Sequence, residues 1–311
     1  MILCLCGGVG AARMLVGMQQ AVDPTSLTAV VNTGDDEIFY GLYVAPDLDT
    51  ITYTLGEVVH PDQGWGRSAE TFGVLSELAR LGEDTWFLLG DKDIALHLVR
   101  NRHLLAGRPL SAATADLSRR FGVRPTLLPM SDDRVRTIVT AEVDGVATPM
   151  AMQTWFVGHR HGPPVLQVDF DGASAATPGP GVLDAISAAE QIVVCPSNPY
   201  VSIDPILSIP GIRQALTARR DDVVAVSPLV GAAAVKGPAA DMMRTLDGEV
   251  SNRVVARRYS EWASRMVIDR RDSADRALVE RAGVTCFETE TLMSSPRIAA
   301  DLAEFVLSTG A

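Results

Sequence analysis

Five short apolar runs recur along the chain, and each is followed by small or polar residues and then by a helical pattern. A strand, a small-residue loop and a helix make the βα unit of a parallel sheet. Ligands of such sheets bind beyond the carboxyl ends of the strands, so we expect the loops to converge on one crevice. The runs and their loops are 1–6 with 7–8, 27–31 with 32–34, 86–89 with 90–91, 191–195 with 196–198, and 223–226 with 227–228.

A different pattern occupies residues 124–172. Strand-like runs at 137–143, 150–157 and 165–170 are separated by turn sequences, of which Asp144-Gly145 is the clearest, and they predict an antiparallel insertion. Apolar positions spaced three to four residues apart predict helices at 111–121, 181–190 and 295–307. The predicted fold is an α/β protein: a Rossmann-like parallel sheet flanked by helices, formed by 1–123 and 173–311, with a smaller antiparallel subdomain at 124–172.

Composition narrows the classes of partner. The 311 residues are 47% hydrophobic and 21% charged, as in ordinary globular proteins, and the net charge of −11 disfavours a nucleic-acid partner. No run of about 18 apolar residues predicts a membrane span, and the four cysteines have no C-x-x-C spacing, so we expect a cytoplasmic protein with reduced cysteines in its core. An anionic ligand would need a metal or backbone amides to hold it.

The segment Gly7-Gly8-Val9-Gly10 follows the first predicted strand and precedes a predicted helix. Exposed backbone amides and the positive end of a helix suit a phosphate, although glycines required only for a tight turn are the alternative. The segment lacks the Lys of a Walker A loop. Arg13 stands where a dinucleotide fingerprint has its third small residue, which disfavours an NAD-dependent dehydrogenase.

Carboxylates cluster after the second predicted strand, at 35–37, and again at Asp47 and Asp49. Mg²⁺ binds through one or two carboxylates and completes its shell with water and substrate phosphate oxygens. A phosphate loop beside an acidic cluster therefore indicates a metal-bridged diphosphate. The alternative is that Asp36 and Asp49 each cap a helix.

Later segments carry groups that contact nucleotides or flat rings. Ser197-Asn198-Pro199 and Lys236-Gly237-Pro238 offer hydroxyl, amide and ammonium groups for a nucleotide, with plain surface turns as the alternative. Trp65 and Phe72 offer aromatic surfaces on which a flat ring could stack, with ordinary core packing as the alternative.

Eight segments in order resemble the 2-phospho-L-lactate transferase family of coenzyme F-420 biosynthesis. The resemblance implies that a C3 acid, activated with guanosine diphosphate, is joined through its phosphate to the ribityl hydroxyl of the deazaflavin Fo (8-hydroxy-5-deazariboflavin), releasing GMP. It also implies Mg²⁺ as cofactor, a homodimer, and no membrane or nucleic-acid partner. The segments are 7–13, 31–36, 46–50, 65–66 with 71–72, 89–93, 128–133, 197–199, and 227–228 with 236–238.

The resemblance assigns roles to individual residues. Asp36 and Asp49 are the implied metal ligands, and either is a candidate base for the attacking hydroxyl. Asp47, Trp65, Thr71 and Phe72 are the implied acceptor-binding residues. The implied donor-binding residues are Gly7, Gly8, Gly10, Arg13, Asn32, Ser197, Asn198, Ser202, Lys236 and Gly237.

Two positions depart from the family pattern, and one alternative function stays open. Glu70 and Asp204 stand where the family usually has Asp and Gly, which leaves the identity of the C3 acid open among lactyl, enolpyruvyl and glyceryl donors. Asp204 before Pro205 predicts a helix N-cap rather than a metal ligand. The alternative function is a non-catalytic regulator that binds nucleotide sugars, as in the gluconeogenesis-factor proteins.

Overall fold

The computed structural model describes residues 1–231, 233–234 and 237–310. Its strands are β1 Ile2–Cys6, β2 Leu27–Val31, β3 Glu37–Phe39, β4 Leu42–Val44, β5 Thr126–Pro129, β6 Arg136–Val143, β7 Val146–Ala151, β8 Val165–Asp171, β9 Gln191–Val194, β10 Val223–Val226, β11 Arg265–Asp269 and β12 Thr285–Thr289. Its helices are α1 Gly8–Ala21, α2 Pro46–Leu55, α3 Gly73–Arg80, α4 Asp91–Leu105, α5 Leu110–Arg120, α6 Val182–Ala188, α7 Asp204–Ser208, α8 Ile212–Ala218, α9 Ala239–Leu246, α10 Asn252–Tyr259, α11 Arg276–Arg281 and α12 Pro296–Ser308.

A parallel sheet forms the centre of the described chain, with seven strands in the order β12-β11-β10-β9-β1-β2-β5. The central strands are apolar on both faces because helices cover both. On β1, Leu3 and Leu5 face one buried cluster while Ile2, Cys4 and Cys6 face the other. The chain runs outward from β1 to β2 and β5 and then returns to β9 on the other side of β1. The fold confirms the predicted α/β class and places its topological switch point between β1 and β9.

Three details of the prediction for the central sheet were wrong. The run 86–89 is no strand: Phe87 stacks on Phe39 at 3.7 Å between ring centroids, and Leu88 is 57% exposed. Strand β5 pairs in parallel with β2, so residues 126–129 belong to the central sheet and not to the insertion predicted at 124–172. Strands β11 and β12, which were not predicted, extend the sheet at its other edge.

The antiparallel insertion is a sheet in the order β7-β6-β8. The Asp144-Gly145 turn joins β6 to β7 as predicted. The predicted strand 150–157 ends at Ala151, because Trp155 turns inward within a short helical turn and its indole donates to the Pro163 carbonyl at 3.0 Å. The insertion docks on the loop after β2, where the Thr137 amide donates to the Gly34 carbonyl at 2.5 Å.

The cysteines lie in the core. Cys4, Cys6 and Cys195 are buried beneath the switch point, with the Cys6 and Cys195 sulfurs 3.6 Å apart as free thiols. Cys286 is buried on the edge strand β12. Among the helices that the structure describes, none has both the length and the apolar content needed to cross a membrane.

Candidate active site

The glycine segment lies at the switch point, against the loop that follows β9. The Ser197 hydroxyl donates to the Gly7 carbonyl at 2.9 Å and accepts from the Gly7 amide at 3.3 Å. A Cβ on Gly7 would lie 2.5 Å from the Ser202 Cβ, and a Cβ on Gly10 would lie 2.2 Å from the Pro196 carbonyl oxygen. The structure therefore brings together five predicted donor-binding residues, namely Gly7, Gly8, Gly10, Ser197 and Ser202.

Asp47 joins this segment to the acidic cluster. The Gly8 amide, at the start of α1, donates to Asp47 Oδ1 at 2.7 Å, and Asn32 Nδ2 donates to Asp47 Oδ2 at 2.9 Å. Asn32 Nδ2 also donates to Asp35 Oδ1. A carboxylate thus lies where the amides and partial positive charge of a helix N-terminus favour an anion. Asp47, assigned to the acceptor from the sequence, contacts the phosphate loop.

Asp35, Asp36 and Asp47 are buried. Burial raises the pKa of Asp47 to about 6, against the opposing hydrogen bonds from Asn32 and Gly8. Burial and then the charge of Asp47 raise the pKa of Asp35 well above its usual range, and burial and then the charge of Asp35 do the same for Asp36. Such a cluster holds protons or attracts a cation.

Asp36 has one bound and one free oxygen. The Tyr43 hydroxyl donates to Asp36 Oδ2 at 2.9 Å, whereas Asp36 Oδ1 is buried without a hydrogen-bond partner in the described part of the chain. Asp36 precedes a strand, β3, so it caps no helix. An orphaned buried carboxylate oxygen is a position that a cation can fill.

Asp49 is held by an arginine that the sequence did not indicate. Both of its oxygens accept from the buried Arg100 guanidinium, with Nη1 3.1 Å from Oδ2 and Nη2 closer still to Oδ1. Asp49 Oδ2 also accepts from the Ala45 amide at 3.4 Å, the backbone group that begins α2. Asp49 lies inside α2, whose N-cap residue is Ala45, so the capping alternative is wrong and the main partner of Asp49 is Arg100.

The pair Asp36 and Asp49 fits a shared Mg²⁺ with a substrate. The two are close enough that the charge of Asp49 contributes to the raised pKa of Asp36. Within the described residues, no three His, Cys, Asp or Glu side chains are grouped to hold a metal alone. A carboxylate oxygen that accepts one hydrogen bond keeps a lone pair for a second partner. The protein can therefore supply two carboxylates, and phosphate oxygens and water would complete the shell.

His97 completes this buried network. Its Nδ1 lies 3.2 Å from Arg100 Nη1 and 3.8 Å from Asp49 Oδ2. Burial lowers the pKa of His97 to about 4, although the charge of Asp49 opposes the shift. The imidazole is therefore neutral at neutral pH and can accept from Arg100.

The remaining donor candidates are more dispersed. Asn198 Oδ1 accepts from the Tyr200 amide at 2.9 Å and so fixes the turn after β9, which is the turn alternative. Arg13 Nη1 donates to the Met293 carbonyl at 3.4 Å, near the start of α12. Gly237 is exposed with a positive φ of 74°, and Lys236 lies outside the described residues.

The acceptor candidates Trp65, Thr71 and Phe72 lie on one segment before α3. Trp65 and Phe72 are 48% and 46% exposed, and the Thr71 hydroxyl donates to Asp91 Oδ2 at 2.6 Å. The structure places this segment beside the start of α4 and does not place its aromatic rings against the glycine segment.

Asp93, on the first turn of α4, links this segment to the carboxylate pair. Burial raises the pKa of Asp93 to about 6, against the effect of the neighbouring Tyr53 hydroxyl, and the charges of Asp49 and Glu70 add to the shift. Glu70, which departs from the family pattern, holds the same region together, since its Oε1 accepts from the Lys92 amide at 2.8 Å.

Asp204 is not an N-cap, so the predicted cap was wrong. It is the first residue of α7, with Ile203 at the N-cap position, and its carboxylate accepts from Arg258 Nη2 at 2.5 Å. Arg258 lies on α10, and its guanidinium also stacks over the Tyr200 ring at 4.2 Å. The glycine of the family pattern is replaced here by one half of an ion pair.

Sequence reasoning missed Tyr43, Arg100 and Gln153. Gln153 follows β7 in the insertion, is buried, and places Nε2 3.5 Å from Asp35 Oδ2. None of the three belongs to a local motif, and tertiary packing alone brings them to the acidic cluster.

Comparisons with known proteins identify the family of the chain. A family model described as 2-phospho-L-lactate transferase CofD matches residues 2–292. A phosphoenolpyruvate transferase of Streptomyces griseus is 43% identical over 308 residues, covering 98% of this chain and 97% of that protein. A 2-phospho-L-lactate transferase of Methanosarcina mazei is 38% identical over 307 residues, covering 98% and 99%.

The fold also has a solved counterpart. A crystal structure of protein BH3568 from Bacillus halodurans, described as a member of the UPF0052 family, matches with a TM-score of 0.61, 17% identity and 98% coverage of each chain. That likeness shows a shared fold. The match of the family model across most of the chain, together with relatives similar over nearly their whole length, shows that this chain is a transferase enzyme and belongs to the 2-phospho-L-lactate transferase family.

Proposed function

We propose that this enzyme transfers a phosphorylated C3 acid from a guanosine-diphosphate-activated donor to the ribityl hydroxyl of Fo, releasing GMP in coenzyme F-420 biosynthesis. The observation that carries the proposal is the contact of Asp47 with both the Gly8 amide and Asn32, which joins an anion-binding helix end to the buried carboxylates. The names of the relatives, phosphoenolpyruvate transferase and 2-phospho-L-lactate transferase, support this class of donor.

The residues of the chain have separable tasks in this reaction. The Gly8 amide and the N-terminus of α1 hold the donor diphosphate, whose oxygens replace the Asp47 carboxylate at that amide. Asp36 and Asp49 would hold Mg²⁺, which supplies charge stabilisation for the phosphates and the GMP leaving group when it is bound. Ser197 and Asn198 face the guanosine end, and the segment from Trp65 to Phe72 takes the deazaflavin ring.

The chemical step forms one phosphorus–oxygen bond and breaks another. The ribityl hydroxyl attacks the phosphorus that bears the C3 acid, the bond from that phosphorus to GMP breaks, and the hydroxyl proton passes to a carboxylate of the Asp36 and Asp49 pair. No covalent enzyme intermediate is required.

Fo should be incubated in turn with lactate, enolpyruvate and glycerate that are each activated with guanosine diphosphate, with and without EDTA. Mass spectrometry should detect GMP and one new phosphodiester of Fo, and EDTA should abolish both. Full activity in EDTA would refute the metal. Binding of uridine-diphosphate sugars, with no product from any donor, would favour the regulator instead.

The position of the acceptor has its own test. Trp155 and Trp262 are buried, which leaves Trp65 and Trp86 as the exposed tryptophans in the described chain. We expect Trp65→Ala to raise the KM for Fo by about tenfold, because base-sized rings gain roughly 1–3 kcal/mol from aromatic stacking, and to leave the KM for the donor unchanged. Trp86→Ala is the matched control. A larger effect of Trp86→Ala on the KM for Fo would move the acceptor to the β3–β4 hairpin.

A cytoplasmic location, a homodimer and the absence of nucleic-acid and membrane partners stay predictions from the sequence.

A further inference from the structure

The hairpin of β3 and β4 connects the two acidic segments. Asp36 directly precedes β3, and Asp49 lies in α2, which begins two residues after β4 ends. Tyr43, on β4, contacts both sides: its hydroxyl donates to Asp36 Oδ2 at 2.9 Å, and its carbonyl accepts from Arg100 Nη1 at 3.4 Å. One residue of the hairpin therefore touches the first carboxylate and the partner of the second.

Arg100 contacts the second carboxylate, Asp49, from another element. It lies on α4, its side chain is buried, and it binds both oxygens of Asp49. A bidentate pair of a planar guanidinium and a carboxylate fixes the carboxylate plane as well as its position. In a buried site such a pair has few alternative geometries, because either partner would lose its counter-charge on rotating away.

The two contacts leave one oxygen unused. Asp36 Oδ2 is bound by Tyr43, and Asp36 Oδ1 is the orphaned buried oxygen of the cluster. We propose that Tyr43 and Arg100 are positioning residues: they hold the carboxylates of Asp36 and Asp49 in one orientation, with Asp36 Oδ1 free for the cation that the two share. This inference rests on the proposed function, because the cation is the one assigned to Asp36 and Asp49 above.

Outer partners that orient metal-binding carboxylates have a measurable effect, since their removal typically lowers metal affinity or activity about 10- to 100-fold. Tyr43→Phe removes one hydroxyl and keeps the ring. We expect it to weaken Mn²⁺ binding at least tenfold, measured by electron paramagnetic resonance with GDP present, and to leave the circular dichroism spectrum unchanged. Tyr40→Phe is the matched control, because Tyr40 lies on the same hairpin and its hydroxyl donates to the Phe87 carbonyl at 2.8 Å, away from the carboxylates.

Arg100 requires a graded pair of variants, because its loss leaves a buried charge unpaired. Arg100→Lys keeps the charge without the planar fork, and Arg100→Gln removes the charge. We expect Mn²⁺ affinity to fall in the order wild type, Arg100→Lys, Arg100→Gln, with partial recovery in the lysine variant. Circular dichroism and the thermal midpoint separate a misfolded variant from a folded one that binds metal poorly.

The outcomes distinguish a failure of the positioning role from a failure of the proposed function. If the wild type binds Mn²⁺ and Tyr43→Phe binds it as tightly, the positioning role is wrong while the proposed function stands. If the wild type binds no Mn²⁺ with GDP present, the metal assignment fails and the positioning role fails with it. If Tyr40→Phe weakens binding as much as Tyr43→Phe, the effect belongs to the hairpin as a whole, and the specific role of Tyr43 is refuted.

Discussion

In the acidic cluster, a single residue can lower the stability of the folded protein and still be needed for activity. Asp36 is buried, carries an oxygen without a hydrogen-bond partner, and lies beside Asp35. Burial and then the charge of Asp35 raise the pKa of Asp36. At neutral pH the folded state therefore holds Asp36 less favourably as a carboxylate than the unfolded chain does. A buried carboxylate that lowers stability in this way is expected at a functional site, where its charge serves the reaction.

We predict that Asp36→Asn is more stable and nearly inactive. The amide removes the charge and still accepts from Tyr43, so the free energy of unfolding at pH 7 should rise by about 1 kcal/mol or more. Turnover should fall on the order of a hundredfold or more, because the proposed metal ligand is lost. Urea unfolding and steady-state rates test both changes, with Asp62→Asn, at an exposed position, as control for charge. A variant of lower stability, or one with normal turnover, would contradict this account.

A second prediction at this scale concerns His97 and pH. Its pKa is lowered to about 4 in the folded protein and is about 6.5 in an unfolded chain. As pH falls from about 6.5 to about 4, the unfolded chain takes up a proton that the folded protein refuses, so stability should fall by about 3 kcal/mol. His97→Asn should lack this loss, since an amide oxygen can replace Nδ1 as acceptor for Arg100.

Urea titrations of wild type and His97→Asn at pH 4.5, 5.5 and 7.5 measure the contribution of His97 as a difference. The carboxylates of Asp47 and Asp93, which titrate in the same range, are common to both proteins and cancel. His159→Asn, at an exposed position, should follow the wild-type curve. Parallel curves for wild type and His97→Asn would show that His97 is protonated in the folded state.

Secondary-structure elements show where local sequence is informative and where it is not. The runs before Gly7 and before Asn32 predicted strands correctly, because a strand in the middle of a parallel sheet needs apolar residues on both faces. The run 86–89 is also apolar, but its aromatic residues pack on the β3–β4 hairpin instead of entering the sheet.

The same limit applies to the site. Gly8, Asn32 and Asp47 could be predicted from their loops, since loops at the ends of parallel strands meet. Tyr43 and Arg100 could not, because a tyrosine on a hairpin and an arginine on a helix carry no local signal of their partners. Only the packing of α4 against β4 brings them to the carboxylates.

Because α1 lies close to the loop after β9, we predict that a glycine-to-alanine substitution in α1 destabilises the protein, which is the opposite of its usual effect. Alanine in place of a helical glycine normally stabilises by about 1 kcal/mol. Gly10→Ala should instead destabilise by about 2–3 kcal/mol, because its Cβ would lie 2.2 Å from the Pro196 carbonyl oxygen, a backbone atom that cannot rotate away. Urea unfolding measures the change, and GDP affinity should fall with it.

Gly41→Ala is the control for Gly10→Ala. Gly41 has a positive φ of 76° and no atom within 4 Å of an added Cβ, so its substitution introduces only backbone strain, of about 1 kcal/mol. If Gly10→Ala proved no more destabilising than Gly41→Ala, the contact of α1 with the β9 loop would not be as tight as described.

At the scale of the whole molecule, the central sheet extends to both sides of the junction between β1 and β9. Strands β1 and β9 are far apart in sequence and adjacent in the sheet, and the glycine segment and the Ser197 loop lie above their carboxyl ends. The net charge of the protein is −11, so an anionic donor is repelled at long range and depends on local groups for binding. Backbone amides and a shared cation are groups of that kind.

The buried cysteines allow local opening of the β1–β9 junction to be measured. A thiol reacts only as an accessible thiolate. Burial raises the pKa of Cys286 to about 11 and also raises the pKa of Cys6. The interaction with Cys195 and then burial raise the pKa of Cys4, and the pKa of Cys195 is raised, against its interaction with Cys4, by Cys6 and by burial. Alkylation therefore reports local opening. In mild urea, Cys286 on the edge strand β12 should be labelled before the other cysteines, as mass spectrometry of peptides would show. Saturating GDP, by bridging the loops above β1 and β9, should slow labelling of Cys6 and Cys195 more than that of Cys286, and equal slowing would place the nucleotide elsewhere.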